Sequence, residues 1–547
     1  MSSKISFFIK VHFHFVLCGM LFVLLLARNP FSQRTLIPNL EPYPDSFHYV
    51  VPALSFLHGH SFVIEREGRT IAPEVPPLYS FVLVPFFALK QDVRMFYFAN
   101  VMLSLWAYGL FCVIIKMFFE KKSIQILLLF LYVTHGVLIW FPTLAMAENL
   151  LLVLFLESIL LMISPSRPRR AVLAGIIAVS FYATKYASLP LAICFPLLYI
   201  SKLLIEKRER KSLPIFRYFL RFIVSLIITG ILYICYEYFV KNNSVIGNLV
   251  EVLMLVISSG RSSISESHTT DSGFFSLVYV GRNTTQYLHW LIGDPLKLLW
   301  KNIQILPKFL TIPAIIGLVV GLLRKKTRIL AVSLIGMIAA TLIFLSIFYD
   351  YDARYFFIAI PSLILGIGLF FSWVYATFPK KSVLISIGIG LLLVLYLGLS
   401  FRSIKFQIAL NLKYAETPWY YISVHLLSEY LHSHVSKSAE KPIVITSLPP
   451  YLVDAYSKEP ALLLPLDKKQ EFRSQLHKAW GDYDFDNLDM VYLQFLTQGR
   501  KVYLMKYGLG NEQYLHEDFD RISNKFHATQ VMDGCFELCN LYELHLP

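Results

Sequence analysis

A series of apolar runs, each about as long as a membrane-spanning helix, constrains this chain more than any other feature. A helix of roughly twenty apolar residues crosses the hydrocarbon core of a bilayer. The clearest runs are 96–119 and 216–240. Shorter or more polar ones are 13–27, 124–141, 145–163, 171–184, 186–203, 307–323, 328–348, 355–377 and 382–400. The pattern predicts a polytopic α-helical membrane protein with about 11–13 transmembrane helices across residues 1–400.

The composition supports this fold class and limits the partners. Hydrophobic residues make up 56% of the 547 residues, whereas soluble domains contain about 45–50%. The formal net charge of +14 would suggest nucleic acid as a partner in a soluble protein. Here the Lys and Arg residues fall in short loops between apolar runs, as is typical of cytoplasmic loops. We therefore expect the lipid bilayer, and no nucleic acid, as a partner.

The distribution of basic residues predicts the topology. Lys4 and Lys10 precede the first apolar run, and no small-residue cleavage site follows it, which favours an uncleaved anchor with a cytoplasmic N-terminus. The later clusters of Lys and Arg all fall on the cytoplasmic side if residues 77–90 do not cross the membrane fully. The loops 28–76 and 241–306 and the C-terminus are then outside. The scarce cysteines and compact size favour a bacterial inner membrane, whereas a eukaryotic chain would place the outer face in the endoplasmic reticulum lumen.

From about residue 401 to residue 547 the pattern changes to short alternating apolar segments separated by helical ones. This pattern predicts an extracytoplasmic α/β domain large enough for its own core. The expected strands are Pro442–Thr446, Lys501–Met505 and a late pair, Ala528–Met532 and Phe536–His545, and the expected helices are Ser423–His432 and Leu488–Thr497.

Ionisable residues at the outer ends of the spans are the candidates for function. They include Asp45, Glu148, Lys185 and Arg354. Charges at that depth are costly unless they are paired or lie in a cavity, although long side chains can also reach water. Asp45 precedes a predicted surface helix from Ser46 to Leu57, where either Asp45 or Ser46 is expected to be the N-cap.

Five segments resemble, in order, those of GT-C membrane glycosyltransferases, particularly protein O-mannosyltransferases and the lipid A aminoarabinose transferase. They cover most of residues 40–365 and are Pro44-Asp45-Ser46 through Gly59, Pro76-Pro77-Leu78-Tyr79, Met146-Ala-Glu148-Asn149, Gly175 through Thr184-Lys185, and Asp352-Ala-Arg354-Tyr355 through Pro361. Two positions depart from the pattern. Val75 stands where the aminoarabinose transferase pattern has lysine, and Glu148 stands where some relatives have aspartate.

The resemblance implies inverting transfer of a sugar from a polyprenyl-phosphate donor to an extracytoplasmic acceptor. Asp45 is then the catalytic base, and Lys185 and Arg354 bind the donor phosphate. Glu148 binds sugar hydroxyls, orients Lys185 or contacts the acceptor, and Tyr49 and Tyr79 offer flat surfaces to sugar or lipid.

Each of these assignments has a structural alternative. Asp45 can serve only as a helix cap, and Glu148 can form a purely structural bridge with Lys185. Arg354 can pair with Asp350 or Asp352 at the interface.

Two further patterns in the sequence concern metal binding. The Asp350-x-Asp352 pair and the cluster of His48, His58 and His60 are reminiscent of metal ligands. Neither pattern provides a complete ligand set, so we expect no metal and no other cofactor.

The alternative function is a multi-pass transporter or flippase of a lipid-linked or polar solute, and a third hypothesis is a non-catalytic envelope assembly factor. Transporters commonly show internal repeats and helices broken at midplane, and neither is evident in this sequence. The sequence identifies neither the sugar nor the acceptor, for which a lipopolysaccharide core, a secreted protein and another envelope glycan are candidates.

Overall fold

The structure is a computed structural model. It describes residues 2–27, 29–31, 44–59, 61–66, 69–71, 73, 75–209, 214–241, 279–292, 306–347, 353–412, 419–434, 441–447, 461–466, 484–506, 513–533 and 540–547. The chain divides into two compact units. The helical unit comprises Met1–Arg28, Val75–Phe86 and Phe96–Lys413, and the sheet unit comprises Asn29–Glu74, Phe87–Met95 and Tyr414–Pro547. The predicted domain boundary at residues 400 and 401 remains a prediction.

The predicted helical architecture is confirmed. The helices up to residue 412 are α1 (Ser2–Leu26), α2 (Pro44–Leu57), α3 (Leu78–Leu89), α4 (Phe96–Phe118), α5 (Lys122–Val133), α6 (Gly136–Trp140), α7 (Glu148–Ile163), α8 (Pro168–Thr184), α9 (Leu189–Glu209), α10 (Ile215–Lys241), α11 (Val280–Ile292), α12 (Lys308–Leu323), α13 (Arg328–Ser346), α14 (Ala359–Thr377) and α15 (Ser382–Leu412).

Among the described residues, six helical segments are long and apolar enough to cross a membrane, which makes the chain a multi-pass membrane protein. They are Val93–Phe118, Tyr186–Arg208, Ile215–Tyr238, Arg328–Ser346, Ala359–Thr377 and Pro379–Phe401. The bent pair Lys122–Val133 and Gly136–Thr143 makes a seventh if it counts as one span. Shorter apolar helices, such as Leu78–Leu89 and Lys308–Leu323, accompany them.

Burial separates central spans from peripheral ones. Two-thirds of the most apolar stretch of α14 is buried inside the protein, but only 17% of the most apolar stretch of α10 is buried. The exposed side chains of α10 are mainly large aliphatic and aromatic groups, including Phe216, Ile227 and Leu232. Because the lipid tails solvate such groups, α10 is a peripheral helix whose few buried side chains form one face.

Small residues bring α8 and α10 close together. A Cβ atom added to Gly175 would lie 2.6 Å from the Phe222 carbonyl oxygen and 2.8 Å from the Leu226 nitrogen. Ala171 and Ala178 are buried one turn on either side of Gly175. This stripe allows the two backbones to approach as they do in small-residue membrane interfaces.

Helix α11 lies inside the segment 241–306, which was predicted only as a long outer loop. Tyr287 and Trp290 of this helix form a buried cluster with Leu345 and Phe356. The Asn283 side chain is fully buried and donates a hydrogen bond of 3.2 Å to the Leu345 carbonyl oxygen. The cluster thereby ties α11 to the 3-10 turn Ala353–Phe356.

The sheet unit contains the predicted small C-terminal sheet. Its strands are β3 (Ile443–Thr446), β4 (Leu462–Pro465), β5 (Val502–Met505), β6 (Thr529–Met532) and β7 (Leu541–Glu543), with helices α16 (Trp419–His434), α17 (Leu488–Thr497) and α18 (Gln513–Lys525). The strand order is β4-β3-β5-β7-β6, with β3 parallel to β4 and β5, and β7 antiparallel to β5 and β6. The strand β4 was not among those predicted, because its Leu-Leu-Leu-Pro sequence lacks the β-branched and aromatic residues that favour strands.

The same unit contains α2 and a hairpin of β1 (Ile64–Arg66) and β2 (Arg69–Ile71). The predicted surface helix is present and begins at Pro44, which puts the Asp45 backbone in its first turn. It continues to Leu57 through Pro52, although proline inside a helix usually kinks or breaks it. Gly59 follows with φ +87°, the left-handed conformation that commonly ends a helix.

Candidate active site

Glu148 is the first residue of α7. Helix α6 and the 3-10 turn Phe141–Thr143 precede it, and the N-cap position, Ala147, has no side chain that can cap the helix. A carboxylate in the first turn is stabilised by the unpaired N–H groups and the positive end of the helix dipole. The position of Glu148 is therefore electrostatically favourable although its side chain is almost completely buried.

Lys185 is the C-cap residue of α8 and has an extended backbone. The chain breaks there into the 3-10 turn Tyr186–Ser188 before α9 begins. Ser188 holds the break together, because its hydroxyl donates hydrogen bonds to the carbonyl oxygens of Phe181 and, at 2.6 Å, of Lys185. A cation at this end of α8 complements the negative end of the helix dipole.

The structure joins these two helix ends by an ion pair. Lys185 Nζ donates to Glu148 Oε1 over 2.6 Å, and the two side chains are 9% and 2% exposed. Removal of one partner from such a buried pair typically costs 3–5 kcal/mol, since the remaining charge is left without compensation. Oε2 of Glu148 is buried and accepts no hydrogen bond from the described residues. The pair therefore leaves one carboxylate oxygen available to a donor group of a ligand.

Tyr355 brings the last of the five predicted segments to this pair. The Lys185 ammonium group lies 5.0 Å from the centre of the Tyr355 ring, a cation–π distance. The backbone of Arg354 precedes Tyr355 in the same 3-10 turn. The side chain of Arg354 lies outside the described residues, as do Asp350 and Asp352.

Tyr79 belongs to a buried hydrogen-bond network beside the ion pair. Its hydroxyl donates to Asn100 Oδ1 over 2.8 Å, and Asn100 Nδ2 donates to the Leu144 carbonyl oxygen over 2.6 Å. The network connects Tyr79 to the segment that leads into α7, the helix that begins at Glu148.

Asn149 is a polar residue of this centre to which the sequence analysis assigned no role. Its Oδ1 accepts a hydrogen bond of 3.1 Å from the Ser104 hydroxyl. Its Nδ2 is buried and has no acceptor among the described residues. Neighbouring residues at the head of α7 thus each present an unsatisfied polar atom, an acceptor on Glu148 and a donor on Asn149.

Asp45 and Tyr49 lie in α2 of the sheet unit. Tyr49 is 1% exposed, and His48 is also buried. The side chain of Asp45 and all of His60 lie outside the described residues. No group of three or more His, Cys, Asp or Glu side chains suited to a metal ion occurs in the part of the chain that the structure describes. The expected absence of a metal remains a prediction.

Glu237 is a buried ionisable residue that was not predicted from the sequence to be functional. It lies near the end of α10, within an apolar run, and is 1% exposed. Tyr233, one turn earlier, donates a hydrogen bond of 3.0 Å to its Oε1. A carboxylate inside an apolar span was the available signal, because such residues are rare and usually functional.

Solved structures provide the comparison for this fold. A comparison with protein-family models gives no match, and neither does one with curated proteins. The crystal structure of ArnT from Cupriavidus metallidurans bound to undecaprenyl phosphate is similar with a TM-score of 0.61 and 10% sequence identity, over 98% of this chain and 98% of that one. The apo structure of the same ArnT gives a TM-score of 0.57 and 12% identity, over 99% and 98% of the two chains.

These similarities extend over both the membrane helices and the C-terminal sheet. At 10–12% identity they establish the fold alone. ArnT is the lipid A aminoarabinose transferase, one of the two proteins that the sequence motifs resemble. The chain therefore has an ArnT-like GT-C fold over nearly its whole length.

Proposed function

We propose that this protein is an integral-membrane glycosyltransferase that moves a sugar from a polyprenyl-phosphate donor to an extracytoplasmic acceptor. The ArnT-like fold supports the proposal, and the ArnT structure contains undecaprenyl phosphate, a lipid of the required class. The observation that carries the proposal is the buried Glu148–Lys185 pair, in which Glu148 Oε2 has no donor among the described residues.

The pair is chemically suited to a phosphate-linked sugar. One N–H of the Lys185 ammonium group is used by Glu148, which leaves two donors for phosphate oxygens. Glu148 orients the ammonium group and reduces its net charge, so a second cation is needed for a departing phosphate. Arg354 is our candidate, because it is next to Tyr355, which contacts Lys185. Glu148 Oε2 is then available to a sugar hydroxyl.

The proposed reaction is a direct displacement at the anomeric carbon. The acceptor hydroxyl oxygen forms the new bond to this carbon, and the bond to the phosphate oxygen breaks. The phosphate keeps the electron pair, and its growing charge is stabilised by Lys185 and Arg354. The acceptor proton passes to the Asp45 carboxylate as general base. The configuration of the anomeric carbon inverts, and no redox partner or metal is needed for the balance.

The proposal includes the orientation in the membrane. The reaction is assigned to the outer face, with the N-terminus cytoplasmic and the C-terminal domain extracytoplasmic, in a bacterial inner membrane. The C-terminal domain is proposed to bind the acceptor or cover the site. Deletion of residues 412–547 with full turnover on the native acceptor retained would contradict this role.

The test is sugar transfer by the purified full-length protein from radiolabelled polyprenyl-phosphate sugars into a membrane extract. We expect transfer by the wild type, loss of transfer in Lys185→Ala and a large reduction in Glu148→Gln. Asp45→Asn is expected to lose transfer by about 10²–10⁴-fold, the usual contribution of a general base. Binding of undecaprenyl phosphate should be weakened in Lys185→Ala but retained in Asp45→Asn.

The buried Lys202 provides a matched control for Lys185. It donates a 2.7 Å hydrogen bond to the Leu161 carbonyl oxygen at the other end of α7. A Lys202→Met variant that folds should keep its transfer activity. Absence of transfer from every donor, with vesicle uptake of a lipid-linked sugar instead, would favour the transporter hypothesis. Equal transfer by wild type and Asp45→Asn would remove Asp45 from the mechanism.

A further inference from the structure

The buried carboxylate of Glu237 has no role in the proposed reaction. Helix α10 exposes most of its surface, yet Glu237 and Tyr233 are 1% and 9% exposed. They lie one turn apart on the face that includes Phe222 and Ser225, where α10 packs on α8. Burial of a carboxylate in a membrane span is costly, so its retention calls for contacts that use its charge.

Among the described contacts of Glu237 is a tyrosine cluster near the turn that follows α8. Tyr233 donates a hydrogen bond to Glu237 Oε1 over 3.0 Å. Tyr182 completes the cluster, with its ring 5.2 Å from that of Tyr186 and 5.7 Å from that of Tyr233.

The carboxylate fixes the direction of this hydrogen bond. A carboxylate can only accept, so the single proton of the Tyr233 hydroxyl points to Glu237. The bond anchors Tyr233, whose ring packs on Tyr182, and Tyr182 packs in turn on Tyr186. Tyr186 directly follows Lys185, and it opens the 3-10 turn that separates α8 from α9.

We infer that Glu237 is a positioning residue, which acts through Tyr233, Tyr182 and Tyr186 to hold Lys185 in its paired geometry. Two restraints then act on Lys185. Glu148 binds the ammonium group, and the tyrosine cluster anchored by Glu237 restrains the backbone next to it. The inferred positioning of Lys185 is argued from the contacts of Glu237 and the tyrosines. That this positioning helps Lys185 to bind phosphate rests on the proposed function.

The experiment measures the acylation rate of individual lysine amines in the full-length protein, by mass spectrometry after a short pulse of reagent. Tyr233→Phe removes one hydroxyl, and Glu237→Gln removes the charge while keeping the shape. In both variants we expect Lys185 to be labelled about tenfold faster, which corresponds to about 1.4 kcal/mol of lost restraint. Tyr238→Phe is the matched control, because Tyr238 is the next residue of the helix and is 61% exposed.

Lys202 is the internal reference, since it is buried and is held by carbonyl oxygens of Leu161 and Ser164. Its labelling should not change in any variant. An unchanged Lys185 rate in both Tyr233→Phe and Glu237→Gln would overturn the inference. Equal acceleration of Lys185 and Lys202 would also overturn it, because it would indicate general loosening.

A second measurement separates this inference from the proposed function. Binding of undecaprenyl phosphate is compared in wild type, Tyr233→Phe, Lys185→Ala and the double variant. A positioning role predicts that Tyr233→Phe weakens binding only when Lys185 is present. If Lys185→Ala binds like the wild type, the phosphate role of Lys185 fails, while the labelling result still decides whether Glu237 positions it. If the losses of binding free energy in the two single variants add up in the double variant, Tyr233 does not act through Lys185.

Discussion

Gly175 in α8 faces the backbone of Phe222 in α10 so closely that a Cβ atom on the glycine would lie 2.6 Å from the Phe222 carbonyl oxygen. A side chain cannot be accommodated there unless the helices separate. The GT-C resemblance included this glycine but provided no reason for it. The structure provides the reason, because the contact holds α10 against the helix that ends at Lys185.

Gly175→Ala should therefore destabilise the protein. We expect a loss of about 1–3 kcal/mol, the usual cost of overpacking, measured as a lower thermal unfolding midpoint in detergent. Gly230→Ala on α10 is the control, because a Cβ atom there meets nothing within 4 Å. The control should match the wild type or gain up to about 1 kcal/mol from helix propensity. Equal midpoints for the two variants would contradict close packing at Gly175.

The Glu148–Lys185 pair should behave as one energetic unit. Lys185→Met and Glu148→Leu are each expected to lower the free energy of unfolding by about 3–5 kcal/mol, because each leaves a buried charge unpaired. The double variant should lose much less than the sum of the two. A double-mutant cycle on the unfolding midpoints measures this coupling, and additive effects would show that the pair does not form.

Asn100 should support the segment that leads into α7. Asn100→Leu removes the donor to the Leu144 carbonyl oxygen and the acceptor for the Tyr79 hydroxyl. We expect a loss of about 1–3 kcal/mol, the cost of leaving buried polar groups unsatisfied. Met102→Leu, on the same helix but 59% exposed, is the control and should unfold like the wild type. The prediction fails if both variants unfold at the same temperature.

The sheet unit should contain an acid-sensitive contact between α17 and α18. Asp489 forms ion pairs with Lys525 at 2.7 Å and with Arg521. Burial alone would raise the pKa of Asp489, but hydrogen bonds from Lys525 and Arg521 and their charges outweigh it and lower this pKa. Since the pKa is lower in the folded state, the stabilisation is present above the unfolded pKa of about 3.9 and is lost as the pH falls through the folded pKa.

Asp489→Asn should therefore lower the thermal unfolding midpoint at pH 7. The free energy of unfolding should fall by at most about 1 kcal/mol, as is usual for partly exposed ion pairs. The difference from the wild type should shrink as the pH falls below about 3.9 and should then disappear. Asp520→Asn is the control, since Asp520 forms no ion pair among the residues described, and its variant should have the thermal midpoint of the wild type at pH 7. A pH-independent difference for Asp489→Asn would contradict the ion-pair explanation.

The sequence predicted the helices more successfully than the contacts between them. Runs such as 96–119 correspond closely to α4, because a bilayer requires about twenty apolar residues in a row whatever surrounds them. The apolar segments near Ile443 and Val502 became strands β3 and β5, whose β-branched and aromatic residues favour strands locally. The strand β4 was not predicted, because leucine and proline lack this strand preference.

Only some residues of the candidate site could be predicted from the sequence. Glu148, Lys185 and Tyr79 were selected by their position at the ends of apolar runs and by the resemblance. The structure pairs Lys185 with Glu148 and links Tyr79, through Asn100, to the segment that leads into α7. Asn100, Asn149 and Glu237 were missed, because a polar residue inside an apolar run shows no partner until the helices pack. The predicted roles of Asp45 and Arg354 remain predictions.

That this chain is a membrane protein with a C-terminal α/β domain could be predicted from the amino-acid sequence, since both properties depend on the local period and length of apolar segments. Helix packing was needed to show that Lys185 is paired with Glu148, 37 residues away, and that Tyr233, which binds Glu237, packs on Tyr182 near Lys185. The physical reason is that burial makes an unpaired charge costly. The partner that satisfies each charge depends on which helix ends meet, and that is a property of packing.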